Sequence, residues 1–187
     1  MKKLLAIISL LVASTSMAEV SYSMPALEVG FKWNSMDVDG ASSNKQKLGF
    51  QLGGSTVFNF HEKFGLRTGL FYSERPFKYD AGGDFEGKLT YAEVPVHFMF
   101  KIEDYAGIYL GPSIAIKMGD EITCPAGFSP CSLTDTKGMI FPITLGAQFK
   151  FTPMLGINLF FETVGSEVAK NLKNSRAIGA NLMLTFD

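Results

Sequence analysis

The sequence predicts an all-β fold, an eight-stranded antiparallel up-and-down transmembrane β-barrel, and three observations predict it. Bulky apolar residues alternate with polar or small ones along eight segments, one face of every segment is free of charge, and the links between segments are short and long in turn. The chain has 187 residues, 47% of them hydrophobic, with 19 glycines and 17 phenylalanines. It is apolar overall, yet no long segment is apolar throughout, which points to a period of two.

Successive side chains of a strand point to opposite faces. The first segment presents Leu27, Val29, Phe31 and Trp33 on its apolar face. The second presents every other residue from Leu48 to Phe60, the third from Phe64 to Tyr72, and the fourth from Val94 to Phe100. The fifth runs from Ala106 to Met118, the sixth from Met139 to Phe151, the seventh from Leu155 to Thr163 and the eighth from Ile178 to Phe186. None of these positions is charged, although 19% of the chain is. An Arg or Lys facing lipid at mid-bilayer costs a barrel ~2–4 kcal/mol, so a lipid-facing surface excludes charge. The opposite face holds Glu28, Lys32, Gln51, Arg67, Glu93, His97, Lys117, Gln148, Lys150, Asn158, Glu162 and Asn181, interspersed with glycines. Polar inside and apolar outside is a soluble barrel inverted.

The short links are His61 to Lys63, Glu103-Asp104 and Thr152 to Met154. The long ones are Ser35 to Lys47, Arg75 to Lys88, Gly119 to Lys137 and Gly165 to Ser175. This alternation suits tight periplasmic turns and longer external loops, and an even strand count places both termini in the periplasm. Aromatic residues gather at both ends of the segments, with Phe60, Phe64, Phe98 and Phe149 beside the short turns and Trp33, Tyr72 and Phe161 towards the other rim. Interfacial belts of this kind flank the apolar band of membrane barrels.

Residues 1–18 read as a cleaved secretory signal: Lys2-Lys3, an apolar run from Leu4 to Ala13, then Ser16 and Ala18 before the cut. Residues 19–187 are then one barrel domain, exported to the outer membrane of a Gram-negative cell. The apolar run falls short of the roughly 20 residues a membrane helix needs. A net charge of −1 gives no electrostatic case for nucleic acid.

Tyr91-Ala92-Glu93-Val94-Pro95-Val96, followed by Gly111-Pro112, resembles the strand pair of the PorT-like outer-membrane β-barrel family, small barrels similar to OmpA and OmpX. The resemblance implies an integral barrel, mostly of unassigned function, and carries no catalytic residues. Such barrels commonly end on an aromatic residue, whereas here Asp187 follows Phe186. Proline removes a ladder donor, so a bulge is expected near Pro95, and Pro112 and Pro142 raise the same question.

Cys124 and Cys131 lie in the third long link, and an oxidising exported compartment makes a disulfide the expectation. The loop holds no histidine to complete a metal site. Eight strands enclose a space just wide enough for their own side chains. Buried charges must be paired, so Glu28, Glu93 and Glu162 are expected to pair with Lys32, Arg67, Lys117 and Lys150 around His97. Acid–base chemistry by His97 and Glu93 is the weaker reading, because no nucleophile is placed beside them by sequence. No Gly-x-Ser-x-Gly elbow or phosphate loop occurs. The loop acids Asp37, Asp39, Asp80, Asp84, Asp120, Glu121 and Asp135 fit no cation-binding frame. The reading is a non-enzymatic barrel without cofactor. Its expected partners are outer-membrane lipids and lipopolysaccharide, the barrel-insertion machinery during biogenesis, and an extracellular partner at the loops. A narrow pore, a small lipid-modifying enzyme and a soluble lipocalin-like barrel are the alternatives, in that order.

Overall fold

The computed structural model describes residues 21–41, 43–80, 83–125, 133 and 135–186. The expected signal segment and Cys131 lie outside the described residues. Ten strands form in chain order: β1 (Ser21–Val38), β2 (Ser43–Lys45), β3 (Lys47–Asn59), β4 (Phe64–Asp80), β5 (Asp84–Glu103), β6 (Ala106–Thr123), β7 (Met139–Ile140), β8 (Ile143–Lys150), β9 (Leu155–Val164) and β10 (Leu172–Thr185). The short β2 extends β3 beyond Gln46, and β7 extends β8 beyond Phe141-Pro142, so the ten pieces fill eight barrel positions. Every pairing is antiparallel, and β1 closes the sheet on β10 from Ala26↔Thr185 to Val38↔Leu172.

The side-chain alternation places all the apolar positions read from the sequence outward. None of them is buried, and many are wide open, such as Leu110 at 55% and Leu159 at 51% exposure. A soluble fold would hide such a surface, since exposed apolar patches beyond a few hundred Å² mark interaction or membrane sites. At the short-turn end Phe60, Phe64, Phe98 and Phe100 pack ring to ring at 5.4–6.1 Å.

At the opposite, long-loop end strands β4 to β6 reach well past the apolar belt, which corrects the expected long links. Arg75 to Lys88 is a continuous hairpin paired as far as Asp80↔Asp84, and β6 runs on to Thr123. Beyond the belt the facing pattern reverses. Outside, Lys78 bridges Asp84 and Glu86 at 3.1 and 2.7 Å, Lys45 meets Asp84 at 3.2 Å, Lys47 pairs with Glu86, and Lys88 reaches Glu74 at 3.2 Å. Inside, Met36, Phe77, Leu89, Tyr91, Ala115, Ile140, Val164 and Leu172 form an apolar cap over the barrel mouth. Gly87 makes room for it, since a Cβ there would lie 2.3 Å from the Phe77 ring. Charges outside and apolar groups inside are what water on the exterior demands, so the reversal marks the edge of the belt.

Hydrogen bonds from Lys78 and Lys45 hold the Asp84 carboxyl below its ordinary 3.8, and those from Lys47 and Lys78 hold Glu86 below its ordinary 4.5. A depressed folded-state pKa contributes stability that is present above the ordinary value and lost as pH falls below it. Acidification from about pH 6 to about pH 3 is therefore expected to weaken the hairpin tip. The readout is the cross-strand NOEs between Lys78 and Glu86. Unchanged NOEs would mean that the stacked Tyr79 and Phe85 rings, 5.1 Å apart, hold the tip alone.

Pro95 carries no bulge. It stays in register opposite Ser113, and the ladder is interrupted on its other side, where Gly69 and Leu70 of β4 have no bridge to it. The register is unshifted across that gap, and the ladder to β6 has a gap of its own at Val96 and His97, opposite Pro112 and Gly111. Pro142 instead splits its strand between β7 and β8, while its carbonyl still accepts from the Ser113 amide at 2.8 Å.

Candidate functional site: a neutral, filled lumen

The inward positions build two ionic layers. In the first, the Glu28 carboxylate accepts from Ser55 Oγ at 2.5 Å, from Asn158 Nδ2 at 2.8 Å, from Asn181 Nδ2 at 3.0 Å, and from the Arg67 guanidinium. The guanidinium of Arg67 lies 4.7 Å from the Tyr109 ring centre, and Tyr109 donates to Asn158 Oδ1 at 2.7 Å. Gly146 is needed beside it, because a Cβ there would lie 2.3 Å from the Tyr109 hydroxyl. Below this layer Val57, Met99, Tyr109 and Phe160 form a small apolar cluster.

In the second layer Arg75 donates to Glu162 at 2.5 Å and to Glu93 at 3.2 Å. Lys32 donates to Glu162 at 3.3 Å and to Ser73 Oγ at 2.6 Å. Glu28, Glu93, Glu162, Lys32, Arg67 and Arg75 are all buried. Three carboxylates thus face three cations, and the lumen is neutral. Burying charge is tolerable only when each ion is paired and its remaining hydrogen-bonding positions are filled.

Arg75 is the member that sequence reading missed, because it fell in a segment read as loop. Its outward neighbours Glu74 and Lys78 hide the alternation there, and only its inward parity with Arg67 could have revealed it. Two expected members lie elsewhere. Lys117 sits half-buried just before a slip that leaves Met118 without a partner on β5, and it binds Asp120 at 2.7 Å and the hydroxyl of Thr136. Lys150 stands half-buried at the opposite end of the barrel, beside the turn into β9. The loop acids are also engaged: Asp39 with Lys173 at 2.6 Å, Glu121 with Lys88 at 3.5 Å, and Asp37 with Asn174 at 3.0 Å.

His97 stacks on Tyr109 with ring centres 5.0 Å apart, and its Nε2 lies 3.2 Å from Ser113 Oγ. A hydroxyl beside an imidazole, with Glu93 nearby, has the parts of a nucleophilic site. Ser113 is wholly buried and His97 is 3% exposed, however. The remaining cavity is about 20 Å³, lined by Arg67, Glu93, His97 and Glu162 among others. That is room for a single water, so a lipid or ester substrate cannot reach the pair in this arrangement.

No family model matches the chain, and no curated protein matches it, so the finer PorT-like assignment has no family match behind it. Among solved structures it is similar to Neisserial surface protein A (NspA), with a TM-score of 0.58 and 14% identity over 89% of this chain and 99% of the other. It is also similar to Ail, the attachment invasion locus protein of Yersinia pestis, with a TM-score of 0.48 and 18% identity over 86% of this chain and 98% of the other. At these identities the likeness is one of fold, and the fold shared with the Neisserial protein is a small, closed, antiparallel β-barrel.

Proposed function

We propose that this chain is a non-enzymatic integral protein of the Gram-negative outer membrane, with a closed lumen that stabilises it and an external sheet that meets partners. The carrying observation is the sealed neutral lumen beneath strands that continue past an uncharged apolar belt. A pore needs a continuous wet path, and here two ionic layers and the Phe77–Leu89–Tyr91 cap fill the bore. A serine-type acyl-transfer enzyme needs an accessible nucleophile, and Ser55, Ser73 and Ser113 are buried and engaged. What remains exposed to the medium is the extension of β2, β4, β5 and β6 with the loops around it. Cys124 follows β6 directly, and its bridge to Cys131 belongs to this proposal, contributing ~2.5 kcal/mol on the chain-entropy account for so short a loop. Planar-bilayer recording tests the reading: the purified protein should show no steady conductance, and a stable ohmic channel would replace this reading with the pore.

A further inference from the structure

At the long-loop end of the belt, where β1, β9 and β10 run side by side, an open groove of about 530 Å³ is cut into the outer surface. Trp33, Phe161 and Ile178 form its apolar wall, and Ser35, Gln46 and Arg176 its polar end. The register assembles it, pairing Trp33 and Phe161 with Ile178 on either side, and Ser35 with Arg176. Gln46, in the break between β2 and β3, lines it as well.

Arg176 is the unusual member. It is exposed, it is the one charged side chain lining the groove, and among the described residues it has no ion-pair partner. Four lysines of this rim are engaged, Lys173 with Asp39, Lys117 with Asp120, Lys88 with Glu74, and Lys47 with Glu86, whereas Lys137 and Lys170, also without an ion pair among the described residues, stand in the loops away from the groove lining. The nearest carboxylate on β1 is drawn away as well. The β1–β10 register slips between Ser35 and Asp37, and Asp37 accepts from Asn174 at 3.0 Å. The fold therefore leaves one guanidinium without a protein anion, at the level of the interfacial aromatics, above an apolar trough. A guanidinium fork matches phosphate oxygens in a bidentate manner, and long basic side chains at a belt edge reach to headgroup level.

We infer that this groove is a binding site for a phosphorylated lipid of the outer leaflet, with its phosphate on Arg176 and an acyl chain along Trp33, Phe161 and Ile178. Ser35 and Gln46 supply further hydrogen bonds to the headgroup. The inference rests on the membrane reading above.

Trp33 is the single tryptophan of the chain and lines the groove, so it reports occupancy directly. The purified protein is placed in phosphatidylcholine bilayers containing a minor fraction of bromine-labelled phosphatidylglycerol or bromine-labelled phosphatidylcholine. Contact quenching of Trp33 should show about a fivefold preference for the anionic lipid, the ratio expected of one basic residue at an anionic surface. Arg176→Gln should abolish the preference, whereas Lys173→Gln should keep it. Excess inorganic phosphate at constant ionic strength should leave it intact. Equal quenching by both lipids, a preference surviving in Arg176→Gln, or displacement by inorganic phosphate would each overturn the site. Absence of quenching by either lipid would instead overturn the membrane reading beneath it.

Discussion

Arg67→Met alone should cost the barrel ~3–5 kcal/mol, the largest stability loss among the single substitutions considered, because it strands the Glu28 carboxylate in the bore. Glu28 is wholly buried. Its remaining donors, Ser55, Asn158 and Asn181, are neutral and offset only part of the desolvation. Combining Arg67→Met with Glu28→Gln removes the stranded charge and retains an amide oxygen for the two asparagines. Replacing a buried pair by neutral groups of similar size is often nearly neutral, so the double variant should return to within ~1–2 kcal/mol of the parent. Urea unfolding in lipid vesicles measures both. With Glu28→Gln alone as the third variant, a double-variant loss equal to the sum of the two single losses would show that Glu28 and Arg67 are not coupled.

Leu159→Arg has the second largest expected effect, and its sign depends on what surrounds the barrel. Leu159 is half-exposed in the middle of β9, opposite Ala147 on one side and Ala180 on the other. In hydrocarbon an arginine at that depth costs ~2–4 kcal/mol. In water the same change on an exposed strand face would fall within about ±0.5 kcal/mol. The same unfolding measurement therefore distinguishes the two environments. A loss near zero would favour a soluble barrel despite its apolar exterior.

How far the sequence reveals this fold depends on where each residue sits along a strand. Within the belt both environments are constant, lipid outside and filled bore inside, so an alternation such as Leu155 to Thr163 reads directly as an outward face. Past the belt the outside becomes water, and the rule that identified the strands reverses. Glu74, Lys78 and Glu86 then resemble loop, and Phe77, Leu89 and Tyr91 lose their meaning as a cap. Arg75 was hidden for the same reason. One-residue slips are a second limit. One interrupts the β1–β10 ladder between Ser35 and Asp37, the other leaves Met118 without a partner on β5, and nothing local in the sequence encodes them. The ionic layers themselves were legible as composition, since burial in a narrow barrel demands neutrality. Their partnering was not, because Glu28 and Asn181 meet across the closure between the first and last strands.

The central claim, a closed barrel held in a membrane, is tested most directly by gel migration of the membrane fraction with and without boiling. A closed barrel resists detergent, so the unheated protein should run as a compact, faster band that shifts to its full apparent mass after boiling. A single band at one position under both conditions, from protein recovered in the soluble periplasm, would contradict the account.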